Sequence, residues 1–105
     1  MTAGITPHHE SRMLINGKLV EGQSGTFPVV NPATEQVIGE AGDASTADMQ
    51  QAIGAARRAF DDTTWSTDRA LRKQCLLQLQ EALQSEQEEL REELILEVGC
   101  PRMVT

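Results

Sequence analysis

Large side chains are what this chain has least of. Aromatics make up 3% of its 105 residues, as Phe27, Phe60 and Trp65, and there is no tyrosine. The hydrophobic share, 39%, lies below the usual globular range. A chain of this length suits one small domain and is too short for two. With so few bulky apolar groups it can fill only a thin core, which predicts a piece of something larger.

Basic charge is scarce as well: 16 acidic residues face 9 basic ones, for a net charge of −7. Nucleic acid is held through clustered Lys and Arg, so it is excluded as a partner. Anionic membrane surfaces are disfavoured for the same reason. No hydrophobic run approaches the length needed to span a bilayer, and Met1 to Glu10 holds no apolar stretch of signal-peptide length. Cys75 and Cys100 belong to no Cys-x-x-Cys pair and no disulfide framework, so a reduced cytoplasm is expected.

Catalytic groups are equally few. His8 and His9 are the last histidines, and adjacent side chains make a poor metal pair without further ligands. Beyond them no Ser-His-Asp or Cys-His arrangement can be built. No GxxxxGK[ST] or GxGxxG loop lies between a strand and a helix to cradle phosphate. Cys75 reads as a small core residue. Cys100 falls at a helix C-terminus, where the negative dipole end disfavours a thiolate. The residues by themselves supply no catalytic and no cofactor-binding site.

What is present is a clear division into β then α. Residues 1–11 are small and polar and read as a flexible tail, with a single folded unit over 12–105. Met13-Leu14-Ile15 and Lys18-Leu19-Val20 flank Asn16-Gly17, the strongest short hairpin signal, because both turn positions need positive φ. A looser turn through Gly22, Ser24 and Gly25 leads to a strand over 26–30. Asn31 to Glu35 then turn the chain, since Pro32 fixes its own φ and holds Asn31 extended. Another strand is expected over 36–40, closed by Gly42-Asp43-Ala44. Such β pieces are marginal alone and need a partner surface.

Ser45 with Asp48 three residues on predicts a capped helix start. Met49, Ala52, Ile53, Ala56, Ala59 and Phe60 form its apolar stripe, and the small alanines suggest close packing against another backbone. This helix should stop near Asp62. Ser66 is a second N-cap candidate. Leu76, Leu79, Leu83, Leu90, Leu94 and Val98 continue a helical stripe, and Ser85 with Glu88 predicts a further cap and a break near 84–86. The glutamates from Glu86 to Glu93 read as a solvated face. Gly99 supplies a left-handed cap, and Pro101 forbids continuation. The expected fold class is an α+β fragment: a β-hairpin and short antiparallel strands, then three helices.

The ordered set of motifs resembles the N-terminal part of the NAD(P)-dependent aldehyde dehydrogenase superfamily. The match runs from Met13-Leu14-Ile15-Asn16-Gly17-Lys18 through Phe27-Pro28-Val29-Val30-Asn31-Pro32-Ala33-Thr34-Glu35-Gln36-Val37-Ile38-Gly39. It continues through Ala55-Ala56-Arg57-Arg58-Ala59-Phe60-Asp61 and Trp65-Ser66 to Leu96-Glu97-Val98-Gly99-Cys100-Pro101. The resemblance implies oxidation of an aldehyde to a carboxylic acid with NAD or NADP, by thiolate attack, hydride transfer and thioester hydrolysis. The groups that do this lie downstream in the family, so this chain alone is expected to be inactive and to bind no dinucleotide. Cys100 is not that nucleophile: Gly99-Cys100-Pro101 resembles a Gly-Lys-Pro helix end of the family, with cysteine where lysine stands.

One family site bears on these residues. The resemblance implies a monovalent cation held by the backbone carbonyls of Val29 and Val30 and the carboxylate of Glu97. The same positions also read as plain strand and a surface acid. An aldehyde is the implied small-molecule partner, and a homo-oligomer is compatible with the resemblance. The alternative reading is a non-catalytic helical interaction module that docks onto a partner protein.

Overall fold

A computed structural model describes residues 10–105; His8, His9 and most of the expected tail over 1–11 lie outside the described residues. Two separate two-stranded antiparallel sheets come first. Strands β1 (Met13–Ile15) and β2 (Lys18–Val20) form the hairpin, with Leu14 opposite Leu19. Asn16 and Gly17 take φ of 54° and 73°, as a tight two-residue turn between twisted strands requires.

Strands β3 (Thr26–Val30) and β4 (Val37–Gly42) make the second ribbon. Its turn is organised by Asn31, whose Oδ1 accepts from the Ala33 N–H at 2.8 Å and the Thr34 N–H at 3.3 Å. The Asn31 N–H in turn donates to the Gln36 carbonyl, and Glu35 takes a φ of 62° to close the loop. Against the expected 36–40, β4 starts one residue later and runs two further. Thr26 and Phe27 supply partners for Gly42 and Ala41, so the strand ends where its neighbour does. The register slips between Val29 and Val30, which pair with Gly39 and Val37 and leave Ile38 as the extra residue of a bulge.

Helices α1 (Thr46–Asp62), α2 (Arg69–Ser85) and α3 (Gln87–Val98) follow, with a 3₁₀ turn at Thr64–Ser66 between the first two and another at Arg102–Val104. Ser45 and Asp48 form the expected capping box. Two expected caps are corrected. Ser66 lies inside the 3₁₀ turn, and Asp68 caps α2 instead by accepting from the Leu71 N–H at 3.0 Å. Ser85 does not cap α3: its hydroxyl donates backwards to the Ala82 carbonyl at 2.8 Å, and α3 starts after Glu86 with no side-chain cap. The break near 84–86 stands, and Gly99 ends α3 with a φ of 67°.

The alanine stripe faces the hairpin across an open crevice. Leu14, Ile15, Asn16 and Gly17 of the hairpin share a crevice with Ala52, Ala55, Ala56 and Ala59 of α1. Yet no apolar side chain is buried among the described residues; the buried side chains are Asp48 and Glu92. Ile53 remains 62% exposed and Leu76 63% exposed, so the helix stripes face outward. The radius of gyration is 17.1 Å, against about 13 Å for a compact domain of this length. These elements are positioned by turns, caps and ion pairs rather than by a core.

Candidate functional site

Two polar centres tie sequence-distant segments together. The first is Asp48, in the opening turn of α1. Its Oδ2 accepts the Gln23 N–H at 2.8 Å and the Ser45 N–H at 2.9 Å. Ser45 Oγ accepts the Asp48 N–H at 3.1 Å and donates to Gln23 Oε1 at 2.9 Å. The capping box thereby also holds the loop after β2, a link across 25 residues that the sequence pattern does not show.

The Gln23 N–H, then the Ser45 N–H, hold the Asp48 carboxyl below the ordinary carboxylate range. Its folded pKa is therefore lower than its unfolded one. The stabilisation is fully present above the unfolded value and is lost as pH falls through the folded value. An NMR titration of the Asp48 carboxyl should give a midpoint below the ordinary aspartate value. A midpoint at or above that value would mean the two amides do not hold the carboxylate.

The second centre joins the middle of α3 to the 3₁₀ turn beyond it. Glu92, expected on a solvated face, is only 7% exposed. Arg102 reaches back from the C-terminal 3₁₀ turn with Nη1 at 2.5 Å from Oε1 and Nη2 at 3.2 Å from Oε2, a two-point guanidinium–carboxylate clasp. The Arg102 hydrogen bonds keep the Glu92 carboxyl below its usual range. Glu86, Glu88 and Glu89 do stay exposed, and Arg91 Nη1 pairs with Glu88 at 2.5 Å.

The implied cation residues belong to β3 and α3. A Cβ placed on Gly99 would lie 3.2 Å from Pro32 Cγ, so the end of α3 abuts the turn that follows β3. Val29 and Val30 sit just before that turn, at the bulge, and Glu97 occupies the last turn of α3. Carbonyl and carboxylate oxygens suit a hard cation. No group of three or more His, Cys, Asp or Glu able to hold a metal occurs among the described residues.

At the strand-to-helix junction from β4 to α1, the Ser45 N–H bonds the Asp48 carboxylate and the Asp48 N–H bonds the Ser45 hydroxyl. A phosphate would have to displace the protein's own anion. Cys75 and Cys100 are both free thiols and half-buried. Cys100 follows the left-handed cap of α3, with its N–H donating to the Leu94 carbonyl. No helix among the described residues is long and apolar enough to cross a membrane.

The order of strands and helices recurs in known proteins. The aldehyde dehydrogenase family profile matches residues 19–104. A mitochondrial aldehyde dehydrogenase from Leishmania tarentolae is 40% identical over 95 residues, which cover 90% of this chain and 19% of that protein. A probable mitochondrial methylmalonate-semialdehyde/malonate-semialdehyde dehydrogenase (acylating) from Caenorhabditis elegans is 34% identical over 90 residues, 84% of this chain and 17% of that protein. Among solved structures, a variant aldehyde dehydrogenase from Bacillus cereus superposes with a TM-score of 0.83 at 35% identity, covering 91% of this chain and 20% of its own. An NAD-dependent benzaldehyde dehydrogenase from Corynebacterium glutamicum gives 0.79 at 34% identity, covering 97% of this chain and 22% of its own. The chain spans about a fifth of the length of the curated relatives it matches. With motifs, element order and superposition in agreement, this chain belongs to the aldehyde dehydrogenase family.

Proposed function

We propose that the chain serves as the opening segment of an NAD(P)-dependent aldehyde dehydrogenase, an enzyme that oxidises an aldehyde to a carboxylic acid, and that it is inactive alone. The single observation that carries this reading is the match over residues 19–104 to proteins about five times its length. The outward-facing stripes of α1 and α2 support it, since an apolar face left in water calls for a covering body. In that role the segment contributes no reacting group. It supplies a flank, held in shape by the Asp48 and Glu92 centres.

Val29 and Val30 carbonyls with the Glu97 carboxylate would hold a monovalent cation where the flank meets the body. The acid product is one fate of the oxidised carbon; the acylating relative points to acyl transfer as another. A reducing compartment such as the cytoplasm suits the two free thiols.

The purified chain should form no NAD(P)H from aldehyde and NAD(P). Mixed with the remaining segment of a relative, it should restore activity that neither piece has alone. Turnover by the chain alone would overturn the proposal.

A further inference from the structure

The asparagines of this chain are Asn16 and Asn31, and they differ in the residue that follows. Pro32 has no N–H to lose, and the Asn31 side chain is held by the Ala33 and Thr34 amides. Asn16 is followed by Gly17, which carries no side chain to crowd its nitrogen. Both are exposed at the tip of the β1–β2 hairpin, and a Cβ built on Gly17 would meet no atom within 4 Å. No aspartate in the sequence precedes a glycine. Attack of a backbone nitrogen on the preceding side-chain carbonyl needs such an uncrowded nitrogen, and Asn16-Gly17 is where this sequence offers one.

We propose that Asn16-Gly17 is a self-modifying site, at which water converts the asparagine to isoaspartate at a pace set by opening of the hairpin. The Gly17 N–H gives its proton to hydroxide, and the nitrogen attacks Asn16 Cγ. A Cγ–N bond forms and closes a succinimide ring; the bond from Cγ to the side-chain nitrogen breaks, and that nitrogen leaves as ammonia. Water then adds to one ring carbonyl and splits it from the ring nitrogen, leaving a carboxylate. Splitting at Cγ gives aspartate. Splitting at the main-chain carbonyl gives isoaspartate, whose backbone runs through Cβ and Cγ. Nothing is oxidised or reduced.

The closed turn opposes the first step. At a φ of 54° Asn16 is left-handed, and there the next nitrogen lies across the Cα–C bond from Cβ, out of reach of Cγ. Opening is easy, because β1 and β2 are three residues each and pair only with one another. A two-stranded hairpin is marginal by itself and frays locally. Isoaspartate then puts an extra backbone atom and a new negative charge into a turn whose length fixes the Leu14–Leu19 register. The hairpin loses its pairing and its seat over Ala52, Ala55, Ala56 and Ala59. Ammonia escapes, so the change runs one way and records the age of the chain.

The full chain, incubated in mildly alkaline buffer, should accumulate a species with one more negative charge on ion exchange, and faster as pH rises. Peptide mapping should place the change at Asn16, with isoaspartate exceeding aspartate, and a protein isoaspartate methyltransferase should label it. Hydrogen exchange of the modified species should show protection lost at Ile15 and Lys18, which pair across the turn. Asn16→Gly keeps a residue that tolerates positive φ and should abolish the acidic species. Leu14→Gly with Leu19→Gly should speed its formation severalfold, towards the rate of the chain in urea, with helix content unchanged by circular dichroism. A folded chain that gains no charge overturns the proposal, as does a gain that persists in Asn16→Gly. Aspartate as the sole product would rule out the ring, and a rate unaltered by loosening the hairpin would rule out its control of the site.

Discussion

Alanine at Gly22 is expected to release the loop after β2 from both the second ribbon and α1. A Cβ there would fall well short of van der Waals contact distance from the Asp43 carbonyl oxygen, with the Asp43 backbone carbon and nitrogen at 2.8 Å. Every atom it meets is backbone, so no flexible side chain can swing aside. Packing a methyl into such a gap costs about 1–3 kcal/mol. Three hydrogen bonds sit within two residues of the clash: Ser24 N–H to the Asp43 carbonyl at 3.1 Å, Gly25 N–H to the Gly22 carbonyl at 3.0 Å, and Gln23 N–H to Asp48. Native-state hydrogen exchange should show protection falling at Gln23, Ser24 and Asp43 together, while α2 is untouched. Unchanged protection at all three would mean the loop is not seated on Asp43.

Gly99→Val should have the next largest effect, at the end of α3. A β-branched residue at φ 67° is strained whatever surrounds it. The left-handed conformation costs an L-residue roughly 1–2 kcal/mol. The added side chain also meets Pro32 Cγ, which a Cβ would already approach to 3.2 Å. The end of α3 should part from the Asn31–Pro32 turn. The Cys100 amide, bonded to the Leu94 carbonyl, should exchange faster than in the parent. Gly99→Asn is the discriminating control, because asparagine tolerates the left-handed region. Its loss should be the smaller of the two. Equal losses would assign the effect to the Pro32 contact and not to backbone conformation.

Local signals were the most legible part of the chain. Asn16-Gly17, the Ser45/Asp48 box and the Gly99 cap each need a particular residue type for a backbone reason, and each stands where its sequence pattern placed it. Competition among neighbouring polar groups was less legible. Ser66 and Asp68 both suit a helix start, and the carboxylate prevails because it reaches the Leu71 N–H. Ser85 has the Ala82 carbonyl one turn back within reach, and its hydroxyl donates its proton there.

Contacts set by distant residues left no sequence trace. β4 runs on to Gly42 because Thr26 is there to pair with it, and the Ile38 bulge belongs to two strands at once. Glu92 looked like its neighbours until Arg102 folded back over it. The Asp48–Gln23 bond was hidden for the same reason. Only the ordered set of motifs, read as a resemblance, reached beyond these limits to the family.

The two ribbons have one more consequence. Since each sheet has only two strands, every strand is an edge, with one row of amides and carbonyls open to an incoming chain. Burial does not guard those rows, so composition must. Pro28 has no N–H to offer, the Ile38 bulge breaks the flat run of β4, and Lys18 and Glu40 put charge on the rims. Resistance to fibril-like stacking in this segment rests on those four residues.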